Sequence, residues 1–196
     1  MSKIPEQKVG KALDYSRQLS LPDESSAYNR YREIVTKMLD VNAWQKIADG
    51  ISAEFAIVND NNEIQNRRVK KYDFIRIDIP GPGAPSGGGY DWVQVTALDQ
   101  TDHQHKRKTF ISLQPCPDPR TMDEHSAHFF KKYTSSNIAI KQEDNRVTLQ
   151  YAGRNEVINS ETEHLVDNIR NFLVGLGAKM GASYPQWKAL IDGLAK

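Results

Sequence analysis

Hydrophobic and polar positions alternate most cleanly over residues 72–98, where two strand-like runs flank a loop built almost wholly of Gly and Pro. Side chains on a strand point alternately to opposite faces, so Ile75, Ile77 and Ile79 share one face and Tyr72, Phe74, Arg76 and Asp78 the other. The return strand divides the same way, with Val93, Val95 and Ala97 on one side and Tyr90, Trp92, Gln94 and Thr96 on the other. Matching the aliphatic sets across an antiparallel pair puts Ile79 opposite Asp91, Ile77 opposite Val93 and Ile75 opposite Val95. Arg76 then faces Gln94, and Asp78 faces Trp92. One side of this hairpin reads as plain core, and the other mixes rings with polar groups.

The loop over 80–89 is too long for a two-residue turn, and its glycines suit positive φ or close backbone approach. The Gly88 and Gly89 amides offer a cradle for an anion. Glycine motifs that bind phosphate open a helix, however, whereas this loop opens a strand, which favours a plain surface loop.

Elsewhere the pattern predicts the following elements. Residues 1–19 are polar with scattered Leu and Val, and predict a loosely held arm. Residues 20–49 are helical: Ser20, Pro22, Asp23 and Glu24 give a start, and Tyr28, Tyr31, Val35 and Met38 form a buried stripe. Asp40 and Asn42 mark a break before Trp44 and Ala48. A β-meander spans 51–113. Its first strand ends at Val58, Asn59 to Asn62 make a turn, and residues 64–70 return as an edge strand guarded by Arg67, Arg68, Lys70 and Lys71. After the Gly-Pro hairpin, residues 99–108 read as a polar connection and 109–113 as a fifth strand, ended by Pro115, Pro117 and Pro119.

Residues 123–133 predict a short helix with Phe129, Phe130 and Tyr133 turned inward, and 137–152 a second hairpin burying Val147, Leu149 and Tyr151. Two helices fill 160–195. Ser160 with Glu163 caps the first; Ser183, Pro185 and Gln186 open the second, whose stripe is Trp187, Leu190, Ile191 and Leu194. Strands and helices come in blocks rather than in alternation, so the fold class is α+β, with one domain over 20–196. The five strands of the meander fit a small SH3-like barrel or an antiparallel sheet covered by the terminal helices.

Charge changes this picture little. The 26 basic and 25 acidic residues leave a formal +1, too little to steer the whole molecule toward nucleic acid or an anionic membrane. Apolar runs are too short to span a bilayer, the first residues lack a secretory h-region, and a lone Cys116 allows no intrachain disulfide, so a reducing cytoplasmic setting is expected.

Candidate chemistry is sparse. His103 and His105, with Glu124, His125 and His128, have spacings that fit a zinc-dependent hydrolase. The basic run at 106–108 opposes a bound cation, so no metal and no cofactor are expected. Cys116 sits between two prolines without a local activating base, which is the setting of a bystander thiol. Arg154, Glu156 and Asn159 in a polar turn are explained by tying that turn to the following helix. Tyr72, Phe74, Tyr90 and Trp92 with Arg76 suggest a base-stacking platform for single-stranded nucleic acid, but Asp73, Asp78 and Asp91 on the same surface repel phosphates. No nucleophile elbow or nucleotide-binding glycine signature is present.

The reading these residues favour is a non-enzymatic binding or assembly module. It would contact a protein or small ligand, not a membrane, through the Gly-Pro end of the central hairpin, and is compatible with a homo-oligomer. Arg76, Asp78, Gly88, Gly89, Tyr90 and Trp92 are the expected contact residues, since Tyr, Trp and Arg dominate such contacts.

Overall fold

The computed structural model describes residues 3–49, 53–78, 88–120, 133–157 and 184–196. Along these run β1 (Lys11–Ser20), α1 (Glu24–Leu39), a 3-10 turn (Val41–Ala43), α2 (Trp44–Ile47), β2 (Glu54–Val58), β3 (Phe74–Asp78), β4 (Asp91–His103), β5 (Lys106–Pro115), β6 (Ser135–Glu143), β7 (Arg146–Glu156) and α3 (Tyr184–Ala195). All seven strands form one antiparallel sheet in the order β1-β7-β6-β5-β4-β3-β2. The fold is α+β, and the sheet is open, with β1 and β2 at its two edges. A separate five-stranded SH3-like barrel is therefore not what forms. Both hairpins belong to one sheet.

The helices bury their stripes on one face of it. Tyr31, Ile34, Val35 and Met38 of α1, Trp44 of α2, and Trp187, Leu190, Ile191 and Leu194 of α3 share a core with Ile57, Ile75, Val93, Ile111, Ile138 and Leu149. Asp23 caps α1, its carboxylate accepting from the Ser26 amide at 2.7 Å. At the other end Asp40 breaks the helix, as its sequence implies, and the chain turns into α2. Trp44 is fully buried yet satisfied, its indole N–H donating to the Met38 carbonyl at 2.9 Å.

Several sequence expectations are corrected. The supposed loose arm becomes strand β1 from Lys11 onward, pairing with β7 over its length. Leu13, Tyr15 and Leu19 alternate toward the core, but Arg17 interrupts the series and hides its period. Residues 64–70 make only a single bridge, Ile64 to Val58. Asp73 draws this segment into a turn instead, taking a two-pronged bond from Arg67 at 2.6 and 2.9 Å and another from the Lys70 amide. The polar connection at 99–108 is a continuation of the β4–β5 hairpin, turning at Gln104 with φ of 50°. Here cross-strand charge pairs such as Asp102 with Arg107 replace the hydrophobic alternation that would have announced a strand.

In the central hairpin the true register is two residues away from that expected, with Ile77 opposite Asp91, Ile75 opposite Val93 and Arg76 opposite Trp92. A two-residue slide keeps every side chain on its face, so the hydrophobic pattern cannot detect it. Tyr133 is 76% exposed rather than packed inward. The rest of the predicted 123–133 helix, and the first of the two C-terminal helices, fall outside the described residues.

Candidate functional site

The sheet face opposite the helices carries a second, smaller apolar cluster at its β2–β3–β4 end. Ala56 and Val58 from β2, Trp92 from β4 and Cys116 just beyond β5 are buried together, with Phe74 and Tyr90 packed against them. Strand alternation puts them there. The same alternation that sends Phe55, Ile57, Ile75 and Val93 into the main core sends Ala56, Val58, Phe74 and Trp92 to the reverse side.

Trp92 is 0% exposed, so it is the floor of this region and not its contact surface. The rim is formed by two guanidinium groups. Arg76 lies over the Tyr90 ring at 4.5 Å from its centroid, and its Nη1 donates to Asn62 Oδ1 at 2.9 Å. Among the described residues no carboxylate pairs with it. Arg120 lies over the Trp92 ring at 5.4 Å, with Nε and Nη2 donating to the Asp118 carboxylate at 2.9 and 2.6 Å. Both contacts are of the cation–π kind, which favours a guanidinium over a ring face.

The ionisation of this region is set by burial at Cys116 and by hydrogen bonds at Asp118. Around Asp118 burial opposes the charged form, but the Arg120 side-chain and backbone bonds outweigh it and lower the carboxyl pKa. Burial, helped by the nearby Asp118 charge, pushes the Cys116 thiol up to about 12. Such a thiol stays protonated and is not poised as a nucleophile. Gly88 and Gly89 adopt φ of +61° and +93°, the conformation their sequence suggested. Gly88 also lies against Arg120: a Cβ there would sit 2.7 Å from Nη2. Asp78 ends β3 opposite Glu54 and is exposed, two positions from Arg76 along the strand.

Of the six expected contact residues, the structure thus gathers Arg76, Tyr90 and Gly88 at the rim and places Trp92 beneath it. Gly89 follows Gly88 in the chain with open space where a Cβ would stand, and Asp78 stands at the strand end. Sequence reasoning missed Asn62, Asp118 and Arg120. The Asp118-Pro119-Arg120 spacing, which lets one side chain fold back on the other, was the available signal.

The histidine set does not assemble among the described residues. His103 and His105 are exposed at the β4–β5 turn, and His105 Nδ1 pairs with Glu24 Oε2 at 2.7 Å. No group of three metal-ligating side chains occurs among the described residues, and Glu124, His125 and His128 lie outside them. No described helix is long and apolar enough to cross a membrane.

No protein-family model and no curated protein matches the chain. Among solved structures it is similar to hypothetical protein jhp0584 from Helicobacter pylori, with 11% identity, a TM-score of 0.48, and coverage of 99% of this chain and 96% of that one. Protein Ms6760 from Mycobacterium smegmatis gives 12% identity, a TM-score of 0.39 and 98% coverage of both chains. A truncated norcoclaurine synthase from Thalictrum flavum gives 10% identity, a TM-score of 0.39, and coverage of 98% of this chain and 96% of that one. Similarities this remote bring no ligand or reaction to this chain.

Proposed function

We propose that the protein is a non-enzymatic binding module whose contact surface is the rim around Trp92. The observation that carries this reading is Arg76, stacked on Tyr90 and held by Asn62, with no described carboxylate to neutralise it. A guanidinium fixed on an aromatic ring needs little ordering before it grips an acidic group, so association spends less conformational entropy there. The partner is accordingly a protein segment or small ligand that offers a carboxylate to Arg76 and apolar surface to Tyr90. Trp92 serves by holding the rim in place, and the neighbouring Arg120, already paired with Asp118, contributes shape more than charge. The lone thiol is buried beneath this surface, which suits a reducing cytoplasmic setting.

The test is affinity capture with wild-type protein and with Tyr90→Ala and Arg76→Gln variants, each checked by thermal melting. A partner retained by the wild type, released by both variants and recovered with Arg76→Lys only in part would support the reading. Equal capture by all forms would place the contact surface elsewhere.

A further inference from the structure

A second site, on the opposite side of the sheet, stands apart from the rim. Between α1 and the β4–β5 hairpin lies a groove of about 330 Å³, lined among others by Tyr28, Arg32, Thr36, Arg68, Asp102 and Arg107. That volume is at the lower end of the range of about 300–1,000 Å³ for small-molecule sites. The arginines in it are not equivalent. Arg107 is anchored: it donates from Nε to Asp102 at 3.1 Å and from Nη1 to Gln142 at 2.7 Å, and reaches Glu24 at 3.7 Å. Its guanidinium lies over the Tyr28 ring at 4.4 Å.

Arg32 lies over the same ring at 5.7 Å, and among the described residues it meets no carboxylate. Thr36 is one helical turn further on the same face. Arg68 arrives from 32 residues away and points its Nη2 at Thr36 Oγ1, 3.5 Å distant, and it too meets no carboxylate among the described residues. The Arg68 side chain is exposed, but the chain on either side of it is held. The Val69 amide donates to the Leu39 carbonyl at 2.9 Å and Val69 is buried, which ties the chain after Arg68 to the end of α1, while Arg67 before it is clamped by its side chain to Asp73 in the turn leading to β3.

Two uncompensated guanidiniums beside a hydroxyl, on the margin of a ring already bearing a third, make a site that favours a doubly charged anion. A carboxylate neutralises one arginine, whereas a phosphate monoester presents three terminal oxygens and close to two charges near neutral pH. We infer that this groove binds a small phosphate monoester, with its phosphoryl oxygens on Arg32, Arg68 and the Thr36 hydroxyl and its organic part against Tyr28. This site is independent of the Trp92 rim and would survive the failure of that reading.

The experiment titrates the full chain with phenyl phosphate, inorganic phosphate and benzoate, following backbone amide resonances. Expected are saturable shifts at Arg32, Thr36 and Arg68 with phenyl phosphate, weaker ones with inorganic phosphate, and little response to benzoate. The double variant Arg32→Gln, Arg68→Gln should weaken phenyl phosphate by about tenfold or more with an unchanged melt, while Tyr90→Ala leaves it intact. Undiminished binding by the double variant, benzoate binding as well as phenyl phosphate, or no saturation at millimolar phenyl phosphate would each overturn the assignment.

Discussion

The rings of Tyr151 and Trp187 lie stacked, with centroids 5.0 Å apart and planes 13° from parallel. One ring comes from β7 in the sheet and the other from α3, so this contact ties the last helix to the strand bordering β1. Trp187 also meets Trp44 and Phe55 at 6.1 and 6.0 Å, which makes it the ring through which α2, α3, β2 and β7 communicate. Replacing it by Ala should cost about 3–5 kcal/mol, read from the midpoint of urea unfolding. A loss below 1 kcal/mol would mean that α3 does not dock as described.

Gly193 marks the closest approach of α3 to α2: a Cβ there would overlap the Ile47 carbonyl oxygen and crowd the Ile47 side chain. A backbone atom cannot rotate aside as a side chain can. Gly193→Ala is expected to destabilise by about 1–3 kcal/mol despite its better helix propensity. Thermal melting of Gly193→Ala beside Ala189→Gly separates the two effects, because only the steric one predicts loss in the first.

Cys116 gives a pH-dependent prediction. Its pKa is raised from 9.0 to about 12 in the fold, so above pH 9 an unfolded chain releases a proton that the native chain keeps. Ionisation then favours the unfolded state, and stability falls as pH rises through this window. Cys116→Ser removes the thiol titration and should flatten the alkaline limb of the stability profile. Native protein should resist alkylation by iodoacetamide at pH 8 and react fully in denaturant; rapid native labelling would contradict the burial.

At Asp118 the sign is opposite. Its carboxyl pKa lies below the ordinary 3.8 through the Arg120 bonds, so its contribution is complete above that value and disappears as pH falls through the depressed one. The Asp118 side chain is 2% exposed and the Arg120 side chain 35%, so solvent screens part of the pair. Asp118→Asn should cost about 1–2 kcal/mol at neutral pH and make the acid limb less steep, as measured by denaturation at several pH values.

How far the sequence carried the fold depended on which signal each element left. Periodicity located the buried stripes of α1 and of Trp187, Leu190, Ile191 and Leu194, because helical spacing survives without knowledge of the partner; the start expected at Ser20 fell three residues later, at Asp23, since Ser20 ends β1. Strand faces were also legible: Ile75, Ile77, Val93 and Val95 all face the core as their alternation requires. Register was not, since a slide by two preserves faces. The sheet's extent was hidden where charge pairs replaced apolar residues, as at Asp102 and Arg107. Trp92 showed its face but not its depth, because whether a face is covered depends on distant chain. Arg68 illustrates the same limit: its neighbours looked like the guard of an edge strand, and only the turn built by Asp73 carries it to the α1 groove.

The pairing of β1 with β7 has a practical meaning for anyone shortening this chain. Cutting away the first twenty residues would strip one margin from the sheet and leave the outer amides and carbonyls of β7 bare, an invitation to associate with another copy through main-chain bonds. Oligomers seen in such a truncated form would reflect the wound, not the intact molecule.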